Sequence, residues 1–273
     1  MSWALERRRR AGRWALNLYA AMGLAYLFLP IAVIVLFSFN QPAGNYNIEW
    51  QRFTLDNWKA PFADRALTAA LWASLKIATI ATAAATLLGS LMALALSRYQ
   101  FRGAGAFNLL LVLPITTPEI VLGSSLAALF LRQTIVDFGL ATIIIAHIMM
   151  QVSFVAIIVR ARLRDFDWTL EQAAQDLGAS PVRTFWTITF PLILPGILAA
   201  ALLSFALSID DFIITFFNAG PVVTFPLQIF GASRVRIPPQ VHVLATMILM
   251  GSVGLLVGGV LFVRWRERGL NRR

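Results

Sequence analysis

Long apolar runs alternate with short basic or proline-containing stretches along this chain. A helix needs about 20 mostly apolar residues to cross about 30 Å of hydrocarbon. Six runs reach that length, at 16–39, 67–97, 106–131, 135–159, 192–217 and 242–263. The first follows Arg7, Arg8, Arg9, Arg10 and Arg13, like the start of a signal peptide. Its apolar run is too long for one, and no small-x-small cleavage pattern appears before Asn40, so it reads as a retained span. Two connecting segments are longer than simple turns, 40–66 and 218–241. The second carries Pro221, Pro226, Pro238 and Pro239 and reads as a short helix or a re-entrant piece. No internal repeat is visible, so nothing points to an inverted-repeat carrier. The predicted fold class is an all-α membrane protein with six transmembrane helices. A basic N-tail (1–15) precedes a membrane domain (16–263), which includes a connecting loop at 160–191; a basic C-tail (264–273) follows.

Composition agrees with this reading. The chain is 59% hydrophobic and 13% charged, against about 45–50% and about 25% in soluble domains. Too few polar side chains remain to cover a globule in water, which excludes a soluble enzyme, a coiled coil or a disordered chain. The net charge of +10 is a topology signal. The N-tail holds five basic residues, the second-to-third loop two, the fourth-to-fifth loop four and the C-tail five. The other side holds six, and Lys76 lies inside a span. Basic loops mark the cytoplasmic face, so both termini are expected there, and the charge calls for no nucleic-acid partner. Cysteine is absent, which removes disulfides, thiolate metal sites and cysteine nucleophiles. The only lysines, Lys59 and Lys76, precede Ala60 and Ile77, so no phosphate-binding P-loop is recognisable. His147 lacks a His-Glu-x-x-His context, and no Gly-x-Ser-x-Gly occurs. A membrane enzyme therefore has no nucleophile–base set or metal-ligand cluster here, and no metal or cofactor is expected on this chain. His147 reads as a hydrogen-bonded interhelical residue.

Within the 160–191 loop, Leu170, Ala173, Ala174 and Leu177 fall at i, i+3, i+4 and i+7, a narrow apolar stripe on a short helix. Gly178 suits a left-handed helix end, and Ser180-Pro181 suits the N-cap and first position of another helix. Ala173-Ala174, three residues, Gly178, nine residues, Ile188, one residue and Phe190-Pro191 resemble the EAA loop of ABC-importer permeases. That resemblance implies a type I ABC importer fold in which this helix couples to a cytoplasmic ATPase. The matching positions are Glu171, Gln172, Ala173, Ala174, Leu177 and Gly178. The family's glutamate falls at Gln172 here, with Glu171 one position earlier.

Four ionisable residues stand deep in the apolar runs: Lys76, Glu119, Asp210 and Asp211. Each costs about 2.5–3.5 kcal/mol at a helix centre on insertion scales, which makes them functional candidates. Pro114 and Pro118 should kink or break the third span beside Glu119. A straight rise puts Glu119 roughly 20 Å and Asp210 roughly 27 Å into the membrane. Asp210 and Asp211, about 100° apart on a helix, allow one to face a cavity while the other caps or pairs. Internal pairing with Lys76, Arg234 or Arg236 and contact with a cationic substrate both account for them. Trp58 suits either cation–π attraction or interfacial anchoring.

The segments TPEIVLG, LSFALSIDDFIITFF and FPLQIFGASRVRIPPQVHVLAT are similar to the spermidine/putrescine permease subfamily, to its second permease subunit in particular. The resemblance covers nearly the whole chain. It implies substrate-pathway roles for Trp58, Glu119, Ser208, Asp210 and Asp211 in polyamine import. It also implies a second homologous permease subunit, two ATPase subunits holding ATP and Mg, and a periplasmic binding protein, all in a bacterial inner membrane. Relatives carry Ser-Pro-Glu followed by Asn near the stretch that here reads Pro238-Pro239-Gln240-Val241-His242. Another small cargo (ferric ion, an opine, an amino-acid derivative) and a channel or ion-coupled carrier working alone are the other readings.

Overall fold

The computed structural model describes residues 2–44, 46–99, 101–133 and 136–270. Arg272 and Arg273 of the predicted C-tail, and Ile135 at the expected start of the fourth span, lie outside the described residues. Regular structure among the described residues is helical, with two isolated bridges, Asn40 with Phe53 and Tyr46 with Ile237. The chain divides into two compact units, Met1–Arg65 with Ala232–Val253, and Ala66–Gly231 with Gly254–Arg273.

In the first unit, α1 (Ser2–Phe37) carries the first apolar run. The following segment is held by two buried asparagines. Asn40 Nδ2 donates to Asn47 Oδ1 and to the Glu49 carbonyl, each at 2.7 Å. Asn47 Nδ2 donates to the Phe37 carbonyl at 2.8 Å. Buried amides need such partners, because an unpaired one costs about 1–3 kcal/mol. A single short helix, α2 (Asp56–Lys59), carries Trp58. The last helix, α12 (Pro239–Leu270), begins in this unit, where His242 Nδ1 lies 3.2 Å from Asn47 Nδ2.

The second unit contains α3 (Arg65–Arg98, from Ala66 onward), α4 (Ala104–Thr116), α5 (Glu119–Gln133) and α6 (Leu140–Arg164). The elbow follows, with α7 (Thr169–Asp176) and α8 (Pro181–Thr184). A π-helical turn (Phe185–Thr189) then leads into α9 (Phe190–Asp210), α10 (Ile213–Asn218) and α11 (Phe225–Ser233). The central helix is α6, against which α9, α4 and α10 pack. A buried cluster of Ala93, Val155, Val159, Leu163, Ile193 and Ala200 joins α3, α6 and α9. The close approach of α3 to α6 depends on Gly89, where an added Cβ would sit 2.7 Å from Val155 Cβ and 2.9 Å from the Val152 carbonyl. Small residues at such contacts let helices in lipid reach van der Waals packing.

Among the described residues five helices are long and apolar enough to cross a membrane, and the pair α4–α5 makes a sixth candidate. Three details differ from the sequence reading. The third span is no straight helix: α4 and α5 meet at 109° around Thr117-Pro118, so the rise-based depth for Glu119 does not hold. The fourth begins at Leu140, which leaves Asp137 ahead of the helix. The fifth runs Pro181–Asp210 and stops there, with 213–218 forming the separate α10. The proline-containing segment 218–241 does hold a short helix, α11.

Candidate functional site: an acidic break and a docking elbow

Two proline-bracketed or side-chain-capped breaks bring the intramembrane acids together. Pro118 cannot donate its backbone nitrogen, and α5 starts immediately after it at Glu119. The second break has no proline. Asp211 leaves the helix at φ −60° and ψ 122°, and its Oδ2 accepts the Thr215 N–H at 2.8 Å and the Thr215 hydroxyl at 2.6 Å. That captures the first turn of α10, so the helix that ended at Asp210 does not continue. Asp210 and Asp211 therefore do not share one helix, and the expected 100° relation between them is replaced by a turn.

His147, buried on α6, holds this turn. Its Nδ1 lies 2.7 Å from Ser208 Oγ. Its Nε2 lies 3.0 Å from Thr215 Oγ1 and 3.2 Å from Asp211 Oδ2. The Thr215 hydroxyl gives its proton to Asp211, so it accepts from His147, and the proton belongs on Nε2. Nδ1 is then free to accept from the Ser208 hydroxyl. The interhelical role expected for His147 is what the structure shows. Asp211 pairs with His147, and Arg236 pairs with Asp64 at 2.8 Å within the first unit.

The five substrate-pathway candidates therefore separate. Ser208 and Asp211 are buried and bonded internally. Glu119 and Asp210 are exposed, and their carboxylates are near enough to interact electrostatically. Trp58 belongs to the first unit, where its Nε1 donates to Ser38 Oγ at 3.2 Å and its ring stacks on Phe39 at 5.4 Å. The α10 side of the break is pinned as well. Asn218 Nδ2 donates to the Gly123 carbonyl at 3.2 Å, and Thr142 donates to the Asn218 carbonyl at 2.7 Å. Sequence reasoning missed Thr215, whose i+4 spacing from Asp211 was the available signal.

The elbow forms as its residues dictate. Asp167 accepts the Thr169 N–H at 3.0 Å and its hydroxyl at 2.7 Å, which opens α7. These bonds hold the exposed Asp167 carboxyl below its ordinary range. At the other end Gly178 takes φ +85°. Its N–H reaches the Gln175 carbonyl at 2.8 Å, and the Ala179 N–H reaches the Ala174 carbonyl at 3.0 Å. This is a Schellman cap. Ser180 Oγ then accepts the Arg183 N–H at 3.4 Å, with Pro181 at the first helical position.

The apolar stripe faces outward. Leu177 is 90% exposed and Leu170 45% exposed, with Gln172 and Ala173 open beside them. Glu171 points the other way and is the residue of α7 that is buried. Its carboxylate pairs with Arg98 at the end of α3 and accepts the Thr189 hydroxyl from the π-turn. Arg98 also lies over the Trp168 ring, 5.7 Å from its centre. Pro191 cannot donate to the Thr187 carbonyl, so the helical ladder is already open where the π-turn sits. Glu171 thus links α7, α3 and the entry to α9 from inside, while Leu170, Gln172, Ala173, Asp176 and Leu177 are left open.

The family model for binding-protein-dependent transport system inner membrane components matches residues 85–270, a stretch that contains both the acidic break and the elbow. The chain belongs to this family. It is a multi-pass permease subunit of an ABC importer, a transport component and not an enzyme. Among its relatives is the putrescine transport system permease protein PotI of Escherichia coli K12, 36% identical over 251 residues, 89% of this chain and 87% of that protein. The spermidine/putrescine transport system permease protein PotC of the same strain is 35% identical over 246 residues, 90% of this chain and 92% of PotC. A bacterial ABC transporter involved in import of the acidic polysaccharide alginate shares the permease's fold. It matches with a TM-score of 0.69 at 15% identity, over 98% of this chain and 99% of that one. One fold thus serves cargoes of either sign, and the sign must be read from the site.

Proposed function

We propose that this permease is one of two homologous permease subunits of an importer for a small polyamine, putrescine or spermidine. A periplasmic binding protein delivers the cargo, and two cytoplasmic ATPase subunits, which hold the ATP and Mg, drive transport. Both termini and the elbow face the cytoplasm, as the sixteen-to-six division of basic residues argues. The observation that carries the cargo assignment is the exposed pair Glu119 and Asp210 at a helix break. Two carboxylates in a medium of low dielectric attract an ammonium far more strongly than in bulk water. The similarity to PotI and PotC supports the same cargo class. Asp211 and Ser208 serve as positioning residues that fix the turn from which Asp210 projects. Trp58 adds a cation–π surface or an interfacial anchor at the entrance.

In the elbow, Leu170, Ala173, Ala174 and Leu177 dock in a groove of the ATPase, and Gln172 offers a neutral amide where the family has glutamate. Closure of the ATPases moves the elbow, and the Glu171 links pass that motion to α3 and α9. The stretch Pro238-Pro239-Gln240-Val241-His242 has no glutamate where the resemblance implies Ser-Pro-Glu nearby, which favours a second reading, the same permease role for another small cation or amine.

Asp210→Asn and Glu119→Gln test the cargo assignment. Loss of one charged contact costs about 1.5–3 kcal/mol, which is a rise of roughly tenfold to a hundredfold in the half-saturating concentration for uptake. The complex should still assemble. Unchanged uptake at limiting substrate would make these acids structural.

A further inference from the structure

A cleft of about 320 Å³ separates the inner side of α7 from the end of α3. Ser97 and Arg98 line it from α3, and Trp168, Glu171, Gln172 and Gln175 line it from the elbow. Those four elbow positions fall at i, i+3, i+4 and i+7, one face of a helix. The face that α7 turns toward its own chain is therefore largely polar, and it does not close against α3. Among the described residues of α7, Glu171 is the buried one, while Leu170 and Ala173 are exposed. No buried apolar side chain of α7 fixes the helix in one place. The Arg98–Glu171 pair bridges the cleft.

The two ends of this segment are held differently. Phe166 and Trp168, whose ring centres are 4.7 Å apart, pack on the buried cluster that joins α3, α6 and α9, so the chain is anchored where it enters α7. At the far end Leu177 is exposed and Gly178 takes its left-handed turn in open space. The return path is not fully bonded. Thr184 is buried on α8, and its hydroxyl has no hydrogen-bond partner among the described residues. Buried hydroxyls are ordinarily paired, so this one marks a seat that another arrangement would complete. The π-turn at Phe185–Thr189 follows directly, and such turns recur where helices change position. We propose that α7 has a second seat, reached by swinging about Trp168 into the cleft, and that closure of the ATPases drives it there before α3 is displaced. The long Arg98 side chain follows Glu171, so the pair is kept in both seats. Gln175 lies seven residues beyond Trp168, roughly 10 Å along the helix, so a swing of about 20° brings it about 4 Å nearer the end of α3. A cleft of this volume accommodates that shift. The inference rests on the reading of the elbow as the segment that docks on the ATPase.

The absence of cysteine makes the test direct. Ser97→Cys with Gln175→Cys places one thiol on each wall of the cleft in the complete complex in bilayers. The rate of disulfide formation under a mild oxidant is compared without nucleotide and with the ATPases trapped closed by ATP and vanadate. The second seat predicts about tenfold faster formation in the trapped complex, because the effective concentration of two thiols rises as their span shortens. Ser97→Cys alone covers the case in which the double variant fails to assemble; its alkylation by a maleimide should slow about tenfold on trapping as the cleft closes. Equal disulfide rates in the two states, or equal alkylation where only the single variant assembles, would overturn the proposal. So would protection of Ser97→Cys with no gain in disulfide rate, the result expected if an ATPase side chain fills the cleft. If no ATPase purifies with the unmodified chain, the docking reading fails and the second seat falls with it, an outcome distinct from an unchanged rate with ATPases bound.

Discussion

Arg98→Gln and Glu171→Gln should loosen the elbow by unequal amounts. The Glu171 side chain is 6% exposed and that of Arg98 33%. Removing one member of a buried ion pair costs about 3–5 kcal/mol, because the other charge stays desolvated and alone. Arg98→Gln leaves the buried carboxylate, so it falls in that range. Glu171→Gln leaves a guanidinium that can reach water, and its amide can still accept the Thr189 hydroxyl, so we expect about 1–2 kcal/mol after discounting for solvent screening. In free energy about 1.4 kcal/mol is a factor of ten. Hydrogen exchange of the elbow amides at 170–179 should therefore accelerate roughly a hundredfold or more in Arg98→Gln and about tenfold in Glu171→Gln. The double variant should cost less than the two single changes added together, as contacting partners do. Exchange within about threefold of the unmodified protein in both single variants would refute the claim that this pair fastens the elbow. So would a larger effect in Glu171→Gln than in Arg98→Gln.

Gly178→Val should weaken the elbow through the backbone alone. A Cβ there meets nothing within 4 Å, yet φ +85° costs a β-branched residue about 1–3 kcal/mol, so recovery of ATPase subunits should fall while Gly178→Asn retains more of it. Gly220→Ala should be worse for folding, as its Cβ would sit 2.7 Å from the Phe138 Cβ and carbonyl oxygen; reduced thermal stability of the purified complex checks this. His147→Ala should raise the half-saturating concentration for uptake in common with Asp210→Asn, by releasing the turn at Asp211 that positions Asp210; His147→Gln should restore part of it, and no change in uptake would leave His147 with packing only. The Asp167 cap on α7 is held below the usual carboxylate range, so its contribution is present at neutral pH and is lost as pH falls through that lowered value; elbow amide exchange should be unaffected by this cap down to about pH 5.

Local chemistry was legible where it is local in the fold. Gly178 and Ser180-Pro181 announced the elbow because a left-handed helix end and an N-cap are decided by adjacent residues. Pro114 and Pro118 announced a break near Glu119, though not that it bends by 109°. The break after Asp210 has no glycine or proline to signal it. It is produced by Thr215 and by His147, which is 64 residues from Asp211 in sequence. The inward turn of Glu171 likewise depends on Arg98, 73 residues away. Helical periodicity placed Glu171 off the apolar stripe, but only the packing of α3 and the π-turn makes that side the inner one.

We propose that this permease imports a polyamine on an ATP-driven cycle. The direct measurement is uptake of labelled putrescine and spermidine into liposomes holding the purified permease complex, with its binding protein outside and ATP enclosed. Uptake should require both ATP and binding protein and should fall when Asp210 is replaced by Asn. Uptake without ATPase subunits, or a complex that carries neither polyamine while importing another solute, would contradict it.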